Sequence, residues 1–176
     1  RVTVFPYDTP AQVIRDAKVD GVLLSNGPGN PEQIPEALSC ITDLLGDYPI
    51  FGICLGHQLL SLALGLKLCK LGFGHHGGNH PILNSETKKI EISAQNHIYN
   101  IDPDSIKGHN IDVTHINLND QTIAGIRVPN KHAFSVQFHP ESCPGPNDSD
   151  YLFASFIHMI KHGSCVPYTE LSYAKT

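Results

Sequence analysis

Apolar and polar positions follow two periods along this chain, and the change between them divides it. Residues 2–5 are a short β-type run, and Val22–Leu24 and residues 49–53 are apolar runs that read as buried strands. Between them, Ile34, Leu38, Ile41 and Leu45 recur at helical spacing within residues 32–45, and Leu59, Leu60, Leu62, Ala63 and Leu64 mark one face of a further helix. Asp8 or Thr9 is placed to cap a helix over residues 10–18. Residues 25–31, rich in Gly, Pro and Asn, form a loop. Alternating strands and helices predict a mostly parallel sheet covered on both faces. Beyond residue 66 the pattern changes. Residues 67–71 read as a short strand, 72–81 as a glycine- and histidine-rich loop, and 90–94, 112–116, Ile123–Val128 and 133–138 as hairpin-linked antiparallel strands. Residues 150–161 close as a helix with Leu152, Phe153, Phe156, Ile157 and Ile160 on one side, and residues 164–176 read as a loose tail.

Composition narrows the class. A length of 176 residues suits one compact α/β domain. A net charge of −5 without a basic block argues against nucleic acid as a partner. No apolar run is long enough to span a membrane, and no signal peptide is visible. Five irregularly spaced cysteines suggest neither a disulfide framework nor a zinc ribbon, so a reducing, cytoplasmic setting is expected.

The chemistry gathers around Phe51-Gly52-Ile53-Cys54-Leu55-Gly56-His57-Gln58. Cys54 falls at a strand-to-helix turn between two glycines, the pattern of a nucleophile elbow. Glycine lets the chain turn sharply, and the helix start brings free N–H groups and a positive dipole end to the sulfur, favouring a thiolate. Cys40, Cys69, Cys143 and Cys165 lack such a turn and read as structural. The candidate base is His139, at the end of a strand in Gln137-Phe138-His139-Pro140-Glu141, with Glu141 placed to orient it. Backbone N–H groups of Leu55 and of Gly27 or Gly29 are candidate oxyanion donors. His57 reads as a packing or hydrogen-bonding residue. His75, His76 and His80 are close enough in sequence to raise zinc, but the loop reads better as a site wall or subunit contact.

Together, Ser25-Asn26-Gly27-Pro28-Gly29, the Cys54 stretch and Phe138-His139-Pro140-Glu141 resemble the class I (triad) glutamine amidotransferases. Residues 73–81 and Ala94-Gln95-Asn96-His97 are similar to the glutaminase domain of the carbamoyl-phosphate synthase small subunit. The resemblance runs from about residue 20 to about residue 160. It implies a flavodoxin-like three-layer α/β fold, a mixed, mostly parallel sheet with an antiparallel extension, in one amidotransferase domain over residues 1–176. It implies hydrolysis of glutamine to glutamate and ammonia through a Cys54 thioester, with the oxyanion held by the Gly27 and Leu55 amides. Gln58, Gly29 and the backbone of residues 96–99, including Asn96, Ile98 and Tyr99, would hold the amino-acid end of glutamine. It implies no metal or cofactor in this domain. The expected partner is a large subunit, in a heterodimer or higher assembly, that uses ATP, magnesium and bicarbonate to make carbamoyl phosphate for pyrimidine and arginine synthesis.

Three departures bear on these expectations. The family carries a separate N-terminal domain, and a strand and helix ahead of residues 2–5, that this sequence does not contain. Little or no activity is therefore expected from residues 1–176 alone. After His97 the family usually has Gly-Phe, where this chain has Ile98-Tyr99. The alternatives are another class I amidotransferase of the anthranilate or GMP synthase type, against which the 73–81 loop argues, a γ-glutamyl peptidase, and an inactive regulatory domain.

Overall fold

The computed structural model describes residues 1–142, 145–165 and 167–170. Seven strands form one sheet: β1 (Val22–Leu24), β2 (Ile50–Ile53), β3 (Leu68–Asn84), β4 (Ile90–Ile101), β5 (Asp112–Asn117), β6 (Ile123–Val128) and β7 (Ala133–Val136), in the order β1-β2-β7-β6-β5-β3-β4. β1, β2 and β7 are parallel, and the strands from β6 outward pair antiparallel. The helices are α1 (Ala11–Asp16), α2 (Pro35–Leu44), α3 (Leu55–Ala63) and α4 (Tyr151–His162).

Strand alternation sorts the core into two layers. Ile50 and Ala133 face α1, α2 and α3, whereas Phe51, Ile53, Phe134 and Val136 face α4. Gly52 and Gly56 have a different use from the turn expected of them, since neither has positive φ. A Cβ on Gly52 would lie 2.7 Å from the Gly56 carbonyl oxygen, and one on Gly56 would lie 2.2 Å from the Leu24 carbonyl oxygen. The glycines let α3 sit directly against β1 and β2, and the sharp turn is made by Cys54 itself.

Four expectations are corrected. Residues 2–5 pair with no strand among the described residues; Val2 and Val4 are 88% and 87% exposed, and of these four only Phe5 tucks against the α1–α2 cluster. Neither Asp8 nor Thr9 caps α1, which starts after Pro10 without a side-chain cap. Residues 72–81 are not a loop but part of the long β3, which pairs with β4 through two register shifts. Their glycines and histidines hid the strand because its pairing is distant in sequence. Within the tail, Tyr168 is buried, with its backbone N–H donating to Glu86 at 2.7 Å. Cys143 and residues 171–176 lie outside the described residues. Among the described residues, no helix is long and apolar enough to cross a membrane.

Candidate active site

The carboxyl ends of β1, β2 and β7 converge beside the middle of β4, where open parallel sheets place their ligands. Cys54 follows β2 and is the residue from which α3 starts, at φ 51° and ψ −101°. This is a positive-φ conformation that a side chain tolerates only where its surroundings hold it. They do so here: the Cys54 N–H donates to the Val136 carbonyl at 2.9 Å and its carbonyl accepts from Gln58 at 3.1 Å. The unpaired N–H groups of the first turn of α3 begin at Leu55, directly after the sulfur-bearing residue.

His139 is tied to β4 by its N–H, which donates to the Ala94 carbonyl at 2.9 Å. Its Nδ1 lies 2.8 Å from Glu141 Oε1. Hydrogen bonding to Cys54, then to Glu141, raises its pKa to about 10 against the opposing effect of burial. An imidazolium is therefore retained at neutral pH and lost only as pH rises toward that value. Burial is the largest influence on Glu141 and acts to raise its pKa, but the hydrogen bond from His139, a backbone hydrogen bond and the His139 charge together outweigh it and hold the carboxyl below its ordinary range.

A cleft of about 370 Å³ opens over Cys54. Gly27, Pro28, Gly29 and Asn30 line one side, Asn96, His97, Ile98 and Tyr99 the other, with Gln58 and His76 completing the wall. A Cβ on Gly27 would meet Leu55 Cδ2 at 2.8 Å, so glycine lets this loop close down on the helix start. Gly29 needs glycine for its φ of +100°. The predicted residues Gly27, Gly29, Cys54, Gln58, Asn96, Ile98 and Tyr99 thus come together. Leu55, His139 and Glu141 are not on the cleft lining; Glu141 pairs with His139, whose pKa Cys54 raises.

Two side chains at the site carry no assignment from the sequence. His97 Nδ1 donates to the Tyr99 carbonyl at 2.8 Å, and burial pushes its pKa down to about 4, so it is a neutral scaffold. Gln137 Nε2 donates to Cys54 Sγ at 3.7 Å. The available signal for Gln137 was an amide among the apolar residues leading to His139. His57 is fully buried with Nδ1 2.8 Å from Ser135 Oγ and a pKa pushed by burial to about 3, which suits packing rather than proton transfer. His75 Nε2 lies 2.8 Å from Asp120, and His76 Nδ1 lies 2.8 Å from Asn96 Oδ1. Among the described residues, no group of three or more His, Cys, Asp or Glu side chains is placed to hold a metal.

A family profile described as glutamine amidotransferase class-I matches residues 1–159. The chain is 54% identical over 160 residues to a protein named carbamoyl phosphate synthase small chain from Staphylococcus epidermidis, covering 91% of this chain and 44% of that protein. It is 50% identical over 161 residues to the protein named carbamoyl phosphate synthase small chain, chloroplastic, from Arabidopsis thaliana, covering 92% of this chain and 37% of that one. The chain therefore spans less than half the length of these relatives. Among solved structures, a glutamine amidotransferase from Thermotoga maritima superposes with a TM-score of 0.60 at 19% identity, over 90% of this chain and 71% of the other. That likeness speaks for the fold.

Proposed function

Because the chain belongs to the glutamine amidotransferase class-I family, we propose that it hydrolyses glutamine, with Cys54 as nucleophile, His139 as its acid–base partner and Glu141 as the group that orients His139. The observation that carries this reading is the strained Cys54 at the start of α3, open to the cleft, beside a His139 whose pKa Cys54 raises and whose Nδ1 is 2.8 Å from Glu141.

The thiolate attacks the carboxamide carbon of glutamine, and the carbonyl oxygen takes the charge toward the N–H groups of Gly27 and Leu55. His139 gives its proton to the departing nitrogen, and ammonia leaves a γ-glutamyl thioester on Cys54. Water, losing a proton to His139, then forms the new carbon–oxygen bond and glutamate is released. The Gln58 amide nitrogen is occupied by Tyr99 and Gln137, which leaves its oxygen for the substrate ammonium. Gly29 and the backbone of Asn96, Ile98 and Tyr99 complete the grip on the amino-acid end.

On this reading residues 1–176 form one glutaminase domain. The ammonia would then pass to a large subunit that uses ATP, magnesium and bicarbonate to make carbamoyl phosphate; the relatives' name, carbamoyl phosphate synthase small chain, supports a larger partner and that product. The test uses the full-length parent protein. Glutamate release from glutamine is expected to fall at least about a thousand-fold in Cys54→Ala, as when a nucleophile of this kind is removed; turnover that survives the substitution would sink the assignment. Adding a candidate large subunit with ATP and bicarbonate is expected to move glutamine nitrogen into carbamoyl phosphate. Ammonia release without that product would leave the glutaminase and remove the partner.

A further inference from the structure

The side-chain amide of Gln137 touches the reacting sulfur, and a chain of hydrogen bonds anchored on a backbone carbonyl fixes its orientation. Gln137 lies just past β7, 1% exposed, with its N–H donating to the Ala124 carbonyl at 2.9 Å. The Tyr99 carbonyl can only accept. It receives His97 Nδ1 at 2.8 Å and Gln58 Nε2 at 3.0 Å, so the nitrogen of the Gln58 amide faces it. The second N–H of that nitrogen goes to Gln137 Oε1 at 3.1 Å. The Gln137 oxygen is thereby committed to Gln58, and its Nε2 is the atom left facing Cys54 Sγ at 3.7 Å. An amide's orientation is ordinarily ambiguous; the Tyr99 carbonyl removes the ambiguity two residues away.

Besides His139, the sulfur thus meets two partners of opposite kind. The Asn96 carbonyl, 3.9 Å away, is an acceptor and suits an S–H. Gln137 Nε2 is a donor and suits a thiolate, and a hydrogen bond strengthens when its acceptor is ionised. Holding Gln137 buried, with its oxygen committed to Gln58, makes its nitrogen a preorganised donor aimed where charge gathers.

We propose that Gln137 is a catalytic residue whose amide N–H stabilises the Cys54 sulfur as an anion, above all as the leaving group of the second half-reaction. The proposal rests on the reading of Cys54 as nucleophile. During attack the sulfur lone pair forms the S–C bond and charge moves away to the carbonyl oxygen, so the Gln137 contact weakens. During hydrolysis the water oxygen bonds to carbon, its proton passes to His139, the S–C bond breaks, and the electron pair returns to sulfur beside the Gln137 N–H. Loss of the donor therefore slows thioester breakdown more than its formation, and the γ-glutamyl adduct accumulates.

Two substitutions in the full-length protein separate this role from packing. Gln137→Glu keeps an oxygen for Gln58 and replaces the donor by a second oxygen, while Gln137→Met removes the donor without adding charge. Alkylation of Cys54 by iodoacetamide across a pH series, read by peptide mass spectrometry, reports the thiolate and needs no substrate. The midpoint is expected to move up by about one to two pH units in Gln137→Glu and by about one in Gln137→Met, the size of one charge-assisted hydrogen bond. With glutamine, kcat is expected to fall about ten- to a hundred-fold while KM stays within about three-fold, with the covalent adduct visible by intact mass. A residue that only packs would lower the unfolding midpoint and leave the alkylation profile in place. An unmoved profile in either variant that folds overturns the proposal. Absence of glutamine turnover in the unsubstituted protein would instead overturn the glutaminase reading, with the alkylation series still judging Gln137.

Discussion

The parallel and antiparallel halves of the sheet are held by different means. Around β1, β2 and β7 the buried side chains are chiefly apolar, with Phe51 stacked on Phe134 at a centroid distance of 4.5 Å. Around β3, β4 and β5 the buried positions include His75, Asn84, Glu91, Ser93, Gln95, His97, Asn100, His115 and Asn117. The apolar half carries the residue that needs rigidity, because close packing holds Cys54 in a conformation it would not choose. The polar half carries the wall of the cleft, because its hydrogen bonds fix where donors and acceptors point. Cys54 is held by shape and the far wall of the cleft by directional bonds.

The largest test of this contrast is Phe51→Ala. Phe51 is fully buried and touches the rings of Phe134, Phe153 and Phe156. Its truncation is expected to cost about 3–5 kcal/mol, measured by urea unfolding. Tyr151→Phe is the matching test in the polar half. The Tyr151 hydroxyl donates to Glu91 at 3.0 Å and accepts from Asn84 at 2.8 Å. Its 2.9 Å contact with His115 Nε2 is a third bond, with that ring nitrogen as donor. Removing one oxygen leaves the His115 donor unpaired, at an expected cost of about 1–3 kcal/mol. A larger loss for Tyr151→Phe than for Phe51→Ala would reverse the comparison.

The two halves also respond oppositely to pH. Burial raises the Glu91 pKa above its ordinary 4.5, although Ser149, Tyr151 and Asn84 hydrogen-bond to it. A carboxyl with a raised folded pKa contributes stability at low pH, and the contribution declines as pH climbs from the unfolded value through the folded one. Glu141, whose pKa is lowered, has the opposite sign: its contribution is present above the ordinary value and lost as pH falls through the folded one. The stability of the unsubstituted protein relative to Glu91→Gln is therefore expected to shrink as pH rises from about 5 to about 8, read as the difference in urea midpoints. A difference that grows with pH would mean the network favours the charged carboxylate.

The same division decided what was legible beforehand. β1 matched its apolar run, the Cys54 turn was marked by flanking glycines, and α4 was drawn by its apolar side, since these signals are local. The continuity of β3 was not local. Its glycine- and histidine-rich middle is a strand only because His75 pairs with His97 and His76 with Asn96 on β4. Residues 2–5 failed in the reverse direction, having strand-like composition but no strand to pair with among the described residues. Cys54, His139 and Glu141 could be singled out because each occurs in a recognisable short context. Gln137 was not, because its role depends on Gln58 and Tyr99, which reach it only through the fold.

The smallest expected effect lies where the two halves meet over the cleft. Ile98 lines the cleft, is 37% exposed, and stands against the bulged part of β3; a Cβ on Gly74 would lie 2.9 Å from Ile98 Cγ2. The substrate's amino-acid end is expected to meet backbone here, so a branched side chain adds bulk without adding a hydrogen bond. Ile98→Gly should lower the KM for glutamine by about five-fold with kcat unchanged, the scale of one ill-fitting apolar group. It should also lower stability by about 1 kcal/mol, as glycine in a strand does. A rise in KM would show that Ile98 supplies an apolar contact to the substrate, and the polar half would then hold its ligand partly by shape, as the parallel half holds its nucleophile.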